Sequence, residues 1–356
     1  MNEEQRLLFA IAAVYLRRKR KRRSVWVHET IQARSQHGEY HRLVQELRLD
    51  NVRFQQYFRL DRTQFDELLQ RLPGWAQHVA GIVQEVSKAI WDCLVEDYMP
   101  VPTTEDWRDI AAEFHHHWNF PNCVGSIDGK HVVIQAPNNS GSLFYNYKGT
   151  FSIVLLAVVH AKYCFRIKDV GSFGKTSDGG TLANSPFGDA VRCGTLGLPE
   201  DTLLPGAEDL GHQPHVFVAD EAFPLRRDMM RPFPGNTLPS RHRVFNYRLS
   251  RARLTVENAF GILAAQWRMY RRVICLSPSN VEACVKATCI LHNFLRRTGT
   301  VRDPLANLGD GQCSALHTLS ISRVGSNNAA REAMRVRDTF VNYFCAEGAV
   351  PWQPQA

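Results

Sequence analysis

The sequence predicts an α/β fold, a sheet covered by helices and preceded by a helical N-terminal region. Three observations carry this. Apolar residues recur at helical spacing from Phe54 to Leu72 and again from about Val79 to Tyr98. Phe151 to His160 (F-S-I-V-L-L-A-V-V-H) is apolar on both faces, as expected of a strand with helices on each side. Long helical patterns return after the last strand, from Tyr247 onward.

Residues 1–50 read as helical, polar and loosely committed to a core. The run Arg17 to Arg23 follows an apolar stretch, whereas a secretory signal carries its charge before one. It reads as a nuclear localisation signal, a phosphate-binding arm or a solvated helix end. Phe54, Phe58, Leu60, Phe65, Leu68 and Leu69 mark helical segments, with Asp61 and Gln64 spaced as a capping box. After Pro73-Gly74 a second segment spans about Val79 to Tyr98, presenting Ile82, Val86, Ile90 and Leu94 on one face and closed by Pro100 and Pro102. Thr103 or Thr104 begins a helix ending near Trp118.

Strand character starts at Cys123. In Asn122 to Pro137 (N-C-V-G-S-I-D-G-K-H-V-V-I-Q-A-P), β-branched residues surround Asp128 and Gly129. Two readings are open: an Asp-Gly turn between short strands, or a carboxylate set within one strand. A buried acid needs a partner or a metal, and a glycine beside it lets another group approach the backbone. Tyr163 to Val170 would pair with Phe151–His160 across a short turn. Gly171 to Pro214 reads mostly as loop with one helix, Pro186 to Arg192. His215 to Ala219 is a strand ending in Asp220, and Arg226 to Phe245 reads as irregular and basic. A long helix follows, about Tyr247 to Arg271, then one capped by Ser279 and Glu282 and running to Arg296. A terminal helix is expected over Asn327 to Phe344. The expected division is 1–120 helical, 121–298 the α/β domain and 299–356 a tail with a helix.

The composition is that of a globular chain of 356 residues, 44% hydrophobic and 22% charged. No run of 18 apolar residues occurs, which excludes a membrane-spanning helix. Nine cysteines without a C-x-x-C pair argue for a reducing compartment and against a zinc knuckle. A net charge of +8 favours a polyanionic partner. Arginines at 226, 227, 231, 241, 243, 248, 251 and 253 flank the later acids, as a phosphate backbone would require. His115-His116-His117 reads as surface, and His292-Asn293 as satisfying buried polar groups.

Three acids thus stand at element ends or within elements: Asp128, Asp220 and, on the long helix, Glu257, four residues from both Arg253 and Gly261. Taken singly, Glu257 reads as an i, i+4 pair with Arg253 and Asp220 as a cap. Together they suit phosphodiester cleavage, in which two divalent ions about 3.5–4 Å apart activate water and stabilise the leaving oxygen. Hard ions such as Mg²⁺ or Mn²⁺ take oxygen ligands.

Four stretches resemble the PIF/Harbinger superfamily of DDE transposases and the nucleases domesticated from it: V-G-S-I-D-G-K-H-V (124–132), V-F-V-A-D (216–220), N-Y-R-L-S-R-A-R-L-T-V-E-N-A-F-G-I-L (246–263) and C-I-L-H-N-F (289–294). The resemblance implies an RNase H-like mixed sheet flanked by helices and a hydrolase acting on ester bonds of DNA. It implies Asp128, Asp220 and Glu257 as catalytic acids and a divalent metal cofactor, Mg²⁺ or Mn²⁺. Asp178, in S-D-G-G-T-L-A-N-S, resembles a further metal-site acid, with Asp169 and Asp189 read as loop acids. The resemblance also implies a Myb-like DNA-binding partner, no membrane partner, and location in the nucleus with the cytoplasm as a second compartment. Two features depart from the pattern. R-L-P-G-W-A-Q-H-V-A (71–80) replaces longer helical material that includes a helix-turn-helix, the element that reads the major groove. G-K-T-S-D-G-G stands where the family more often has Gly-Ser-x-His-Asp-Ser. The alternative is a catalytically silent DNA-binding or adaptor protein.

Overall fold

A computed structural model describes residues 47–71, 82–299 and 331–355. The basic run at Arg17–Arg23, the Pro73-Gly74 join and the start of the expected terminal helix lie outside them. The chain divides into two compact units at Asp66/Glu67. In the first, α1 (Asn51–Phe58) is capped by Asp50, whose carboxylate accepts from Arg53 N–H. Asp61 and Gln64 form the expected reciprocal cap at the start of α2 (Arg62–Arg71), 2.9 and 3.0 Å. Phe54, Phe58 and Phe65 pack ring on ring.

The second unit is built on a five-stranded sheet in the order β3-β2-β1-β4-β5. Its strands are β1 (Cys123–Val133), β2 (Ser152–Val159), β3 (Phe165–Phe173), β4 (Val216–Val218) and β5 (Met229–Met230). β1, β2 and β3 run antiparallel, while β4 joins β1 in parallel and β5 joins β4 in parallel. This mixed sheet with helices on both sides is the RNase H-like α/β architecture. β2 is buried along its whole length, which explains its unbroken apolar sequence.

Helices α3 (Ile82–Tyr98) and α4 (Thr104–Trp118) precede the sheet. Thr103 and Asp106 cap α4 reciprocally. α5 (Asp178–Ala183) and α6 (Pro186–Cys193) lie between β3 and β4. α7 (Ser240–Gln266), α8 (Pro278–Arg297) and α9 (Arg331–Cys345) follow. Ser126 Oγ donates to the Arg253 carbonyl at 3.2 Å and Lys130 lies over the Phe260 ring, so α7 covers one face of β1. On the other face Phe217 of β4 meets Trp107 of α4 and Phe187 of α6 edge to face. α8 packs against α3 and β3. Asn293 closes this corner, bonding the Phe165 N–H (2.8 Å) and the carbonyls of Phe165 and Tyr98, while His292 bonds the Tyr163 carbonyl at 2.7 Å. No helix among the described residues is long and apolar enough to cross a membrane.

Of the two readings of Asp128-Gly129, the carboxylate within one strand holds: eight consecutive pairs from Ser126 to Val133 match β1 to β2. Several other expectations are corrected. β3 runs on to Phe173, so Asp169 is a strand residue, and Asp189 lies in the first turn of α6, paired with Arg192. The 171–214 stretch also holds α5 and a 3-10 turn, Glu208–Leu210. The long helix begins seven residues early, at Ser240, inside the stretch read as irregular, and ends at Gln266 before a 3-10 turn. α8 is capped by Ser277, not Ser279, because Pro278 already has the fixed φ suited to a first helical position.

The flanking arginines are mostly spent on the fold. Arg226 pairs with Asp228, Arg227 with Asp201 and Glu332, and Arg251 lies over the Trp352 ring. Arg248 is fully buried: it donates to the carbonyls of Asn119 and Gly348 and to Gln353 Oε1, with its guanidinium 4.4 Å from the Phe344 ring centroid. Burial pushes its pKa down to about 10.

Candidate metal centre

The register of β1 against β4 places the first two acids. Ser126 pairs with Val218, and two residues further along each strand stand Asp128 and Asp220. β4 stops at Val218 while β1 continues to Val133, so from Asp128 onward β4 no longer pairs with β1. That is where ligands bind in open α/β sheets, at the carboxyl end of a strand.

Asp178 arrives from α5, in whose first turn it lies, behind a Ser177 cap that accepts from the Gly180 N–H. Two glycines let it approach. A Cβ at Gly129 would stand 2.6 Å from Asp178 Cγ and closer still to Oδ1. A Cβ at Gly179 would stand 2.7 Å from the Ala222 carbonyl oxygen, so α5 rests directly on the turn that follows Asp220. Asp128, Asp178 and Asp220 each present a carboxylate oxygen, all within 4.8 Å of one another.

Each acid is held differently. The Gly129 N–H donates to Asp128 Oδ1 at 2.8 Å and the Ala222 N–H to Asp220 Oδ1 at 2.9 Å. Each bond fixes one oxygen and leaves the other free for a ligand. Asp178 Oδ1 is buried with no hydrogen-bond partner among the described residues. Burial, then the charge of Asp220, pushes Asp128 up to about 7, and the same two causes push Asp178 up to about 6. Burial raises Asp220 too, against the Ala222 N–H and the Arg253 guanidinium.

Glu257 stands apart from this trio. It is one turn along α7 from Arg253 and forms an ion pair with it. Arg253 is therefore the cation of the centre: it offsets the charge of Asp128 and Asp220 and holds Glu257. The i, i+4 pair of Arg253 with Glu257 is the one its spacing predicts, whereas its place over the aspartates depends on the tertiary packing of α7 on β1. Lys148, from the β1–β2 connection, is a second cation acting on Asp178, and nothing in its local sequence marked it. His115, His116 and His117 are exposed on α4 as expected. A cavity of about 180 Å³ lined by Arg108, His115, Asn122 and His215 contains none of the four acids.

The donor set fits a hard divalent cation. Three carboxylates that repel one another, one oxygen among them buried and unbonded, have neither enough protons nor enough N–H donors to be satisfied by the protein alone. His and Cys, which would favour zinc, are missing from the trio.

Comparison with known proteins agrees with this geometry. Residues 127–293 match the family model described as DDE superfamily endonuclease. Protein ALP1-like of Arabidopsis thaliana is 25% identical over 68% of this chain and 58% of its own length. HARBI1 of Rattus norvegicus, whose name marks it as a candidate nuclease, is 22% identical over 60% of this chain and 59% of its own. Human HARBI1 is 24% identical over 52% of this chain and 49% of its own. The chain thus spans less than two thirds of the curated relatives it matches. No solved structure matches. The matched span holds Asp128, Asp178, Asp220 and Glu257, so residues 127–293 of this chain resemble a DDE superfamily endonuclease domain.

Proposed function

We propose that this chain is a metal-dependent endonuclease that hydrolyses phosphodiester bonds of DNA, with Asp128, Asp178, Asp220 and Glu257 as its metal-site acids. The observation that carries the reading is the trio of carboxylates within 4.8 Å, set where β1 outruns β4. Asp128 and Asp220 are poised by backbone N–H groups with one oxygen each turned to the site. Asp178 brings the third oxygen, and Arg253, which offsets the charge of Asp128 and Asp220, holds Glu257 in an ion pair one turn along α7. When bound there, two Mg²⁺ or Mn²⁺ ions supply the acidity that activates water and the charge that stabilises the leaving 3′ oxygen. Loading requires all three aspartates to give up protons, against the raised proton affinity of Asp128 and Asp178. The net charge of +8 suits a polyanionic substrate. A nuclear location and a Myb-like DNA-binding partner belong to the same proposal, resting on the family resemblance.

Incubation with supercoiled plasmid and Mn²⁺ tests it. Wild type should nick the plasmid and Asp220→Asn should lose at least about 100-fold in rate. Equal nicking by the two would overturn the reading.

The second reading, a catalytically silent DNA-binding or adaptor protein, is favoured by one observation: Glu257 is engaged by Arg253 and not gathered with the trio. Calorimetric titration with Mn²⁺ separates the two, because a working site weakens on Glu257→Gln and a silent one is indifferent to it.

A further inference from the structure

The connection between β1 and β2 builds a surface that the chemistry above leaves unused. Backbone bonds close it: Ile134 N–H to the Phe151 carbonyl (2.9 Å), Asn146 N–H to that of Thr150 (2.8 Å) and Ser152 N–H to that of Phe144 (2.8 Å). Asn146, only 3% exposed, is its staple. Its amide donates to Thr150 Oγ1 (3.0 Å) and Ser152 Oγ (2.8 Å), and its Oδ1 accepts from the N–H groups of Lys148 (3.0 Å) and Thr150 (3.1 Å). Ser152 Oγ also bonds His131 Nδ1 on β1 at 2.9 Å. A buried polar network so fully satisfied fixes one conformation.

That rigidity is used to hold aromatic rings in water. Tyr147 is 72% exposed and Tyr145 48%, with Leu143 at 49% and Phe173 at 45% nearby on the chain's surface. Tyr147 rests edge-on against His131, 5.5 Å between centroids, and Lys148 Nζ stands 5.3 Å from the Tyr147 ring. Single exposed apolar side chains need no explanation, but a stapled group of them with cations does.

The surface adjoins the acid centre by two routes. His131 is two residues beyond Gly129 on the same face of β1, the face where Asp178 lies. The Lys175 N–H donates to the Leu143 carbonyl at 3.3 Å, three residues before Asp178. Lys148 also acts electrostatically on Asp178.

Exposed π faces interleaved with lysines are what single-stranded nucleic acid binds to, bases stacking on rings while ammonium groups take the phosphates. In an intact duplex the base faces are covered by their neighbours, so only a splayed or single-stranded base can meet such a ring. We propose that Tyr147, with Tyr145 and Lys148, is a stacking platform for an unpaired base of the strand being cut, adjacent to the scissile phosphodiester. This rests on the nuclease reading and narrows its substrate to DNA that is single-stranded or locally opened near the cut.

Fluorescence anisotropy of the full chain in EDTA tests it, with two probes of equal charge: a 20-nucleotide oligothymidylate and a 20-unit abasic strand. Wild type should bind the oligothymidylate more tightly, by roughly 5- to 150-fold for each base stacked. Tyr147→Ala should erase most of that difference while leaving abasic binding unchanged, and Tyr147→Phe should keep it. Equal binding of both probes by wild type, or a preference that survives Tyr147→Ala, overturns the platform. If wild type then still nicks plasmid, the nuclease reading stands without it. If wild type neither binds nor nicks, both fail together. A dimer that Tyr147→Ala dissolves, with no base preference, would reassign the surface to self-association and overturn the proposal.

Discussion

The carboxylate of Asp178 occupies the space that a side chain at Gly129 would fill. The pairing is direct, since the Cβ of any other residue at 129 would collide with Asp178 Cγ and Oδ1. Gly129→Ala should therefore displace Asp178 with little harm to the β1–β2 ladder. The expected outcome is at least about a tenfold loss of Mn²⁺ affinity by calorimetry. On an Asp178→Ala background the same change should cost nothing further, because the side chain it displaces is already gone.

Removing the metal should make stability depend on pH through Asp128. Its folded pKa, about 7, lies above the ordinary carboxylate value, so the stability it contributes is complete below about pH 4 and lost as pH rises through 7. Urea unfolding in EDTA should show wild type losing about 2–3 kcal/mol relative to Asp128→Asn between pH 4 and pH 8. Saturating Mn²⁺ at pH 8 should restore wild type and not the variant.

Arg253 and a divalent cation compete for the same negative charge. Arg253→Met should free Glu257 and tighten Mn²⁺ binding several-fold at pH 8, where the aspartates are ionised. The same variant should bind protons more readily, so its advantage should vanish near pH 6. A titration at both values checks the crossing.

Arg248 lies in the fold and not in the site. Arg248→Ala would orphan the Asn119 and Gly348 carbonyls and empty the space under Phe344 and Trp352. Destabilisation of about 3 kcal/mol is expected in thermal or urea unfolding, with Mn²⁺ affinity unchanged.

What the residues disclosed beforehand follows from range. Asp128 and Asp220 were legible because an acid interrupting or ending an apolar strand breaks a short, regular pattern. The closeness of Asp178 to Gly129 was not, because the pair are joined only by the packing of α5. That helix escaped notice for a related reason: Asp178-Gly179-Gly180 has poor helix propensity, and the Ser177 cap and tertiary contacts overrule it. β5, at two residues, is too short to show a period. The early start of α7 was hidden by Arg241, His242 and Arg243, whose charge resembles loop composition though their backbone is helical. The pairing of Glu257 with Arg253 was legible from their i, i+4 spacing, whereas the reach of Arg253 to Asp128 and Asp220 depends on how α7 packs.

The parallel pairing of β4 with β1 has a bearing on how the chain is born. β1, β2 and β3 form a local meander that can zip early, carrying Asp128 with it. Asp220 comes from roughly ninety residues downstream and docks only after that long loop has closed. A ribosome-bound or half-folded chain can bring Asp178 to Asp128 but lacks the third carboxylate until β4 docks. The carboxylate cluster is therefore a product of long-range closure and not of the meander alone.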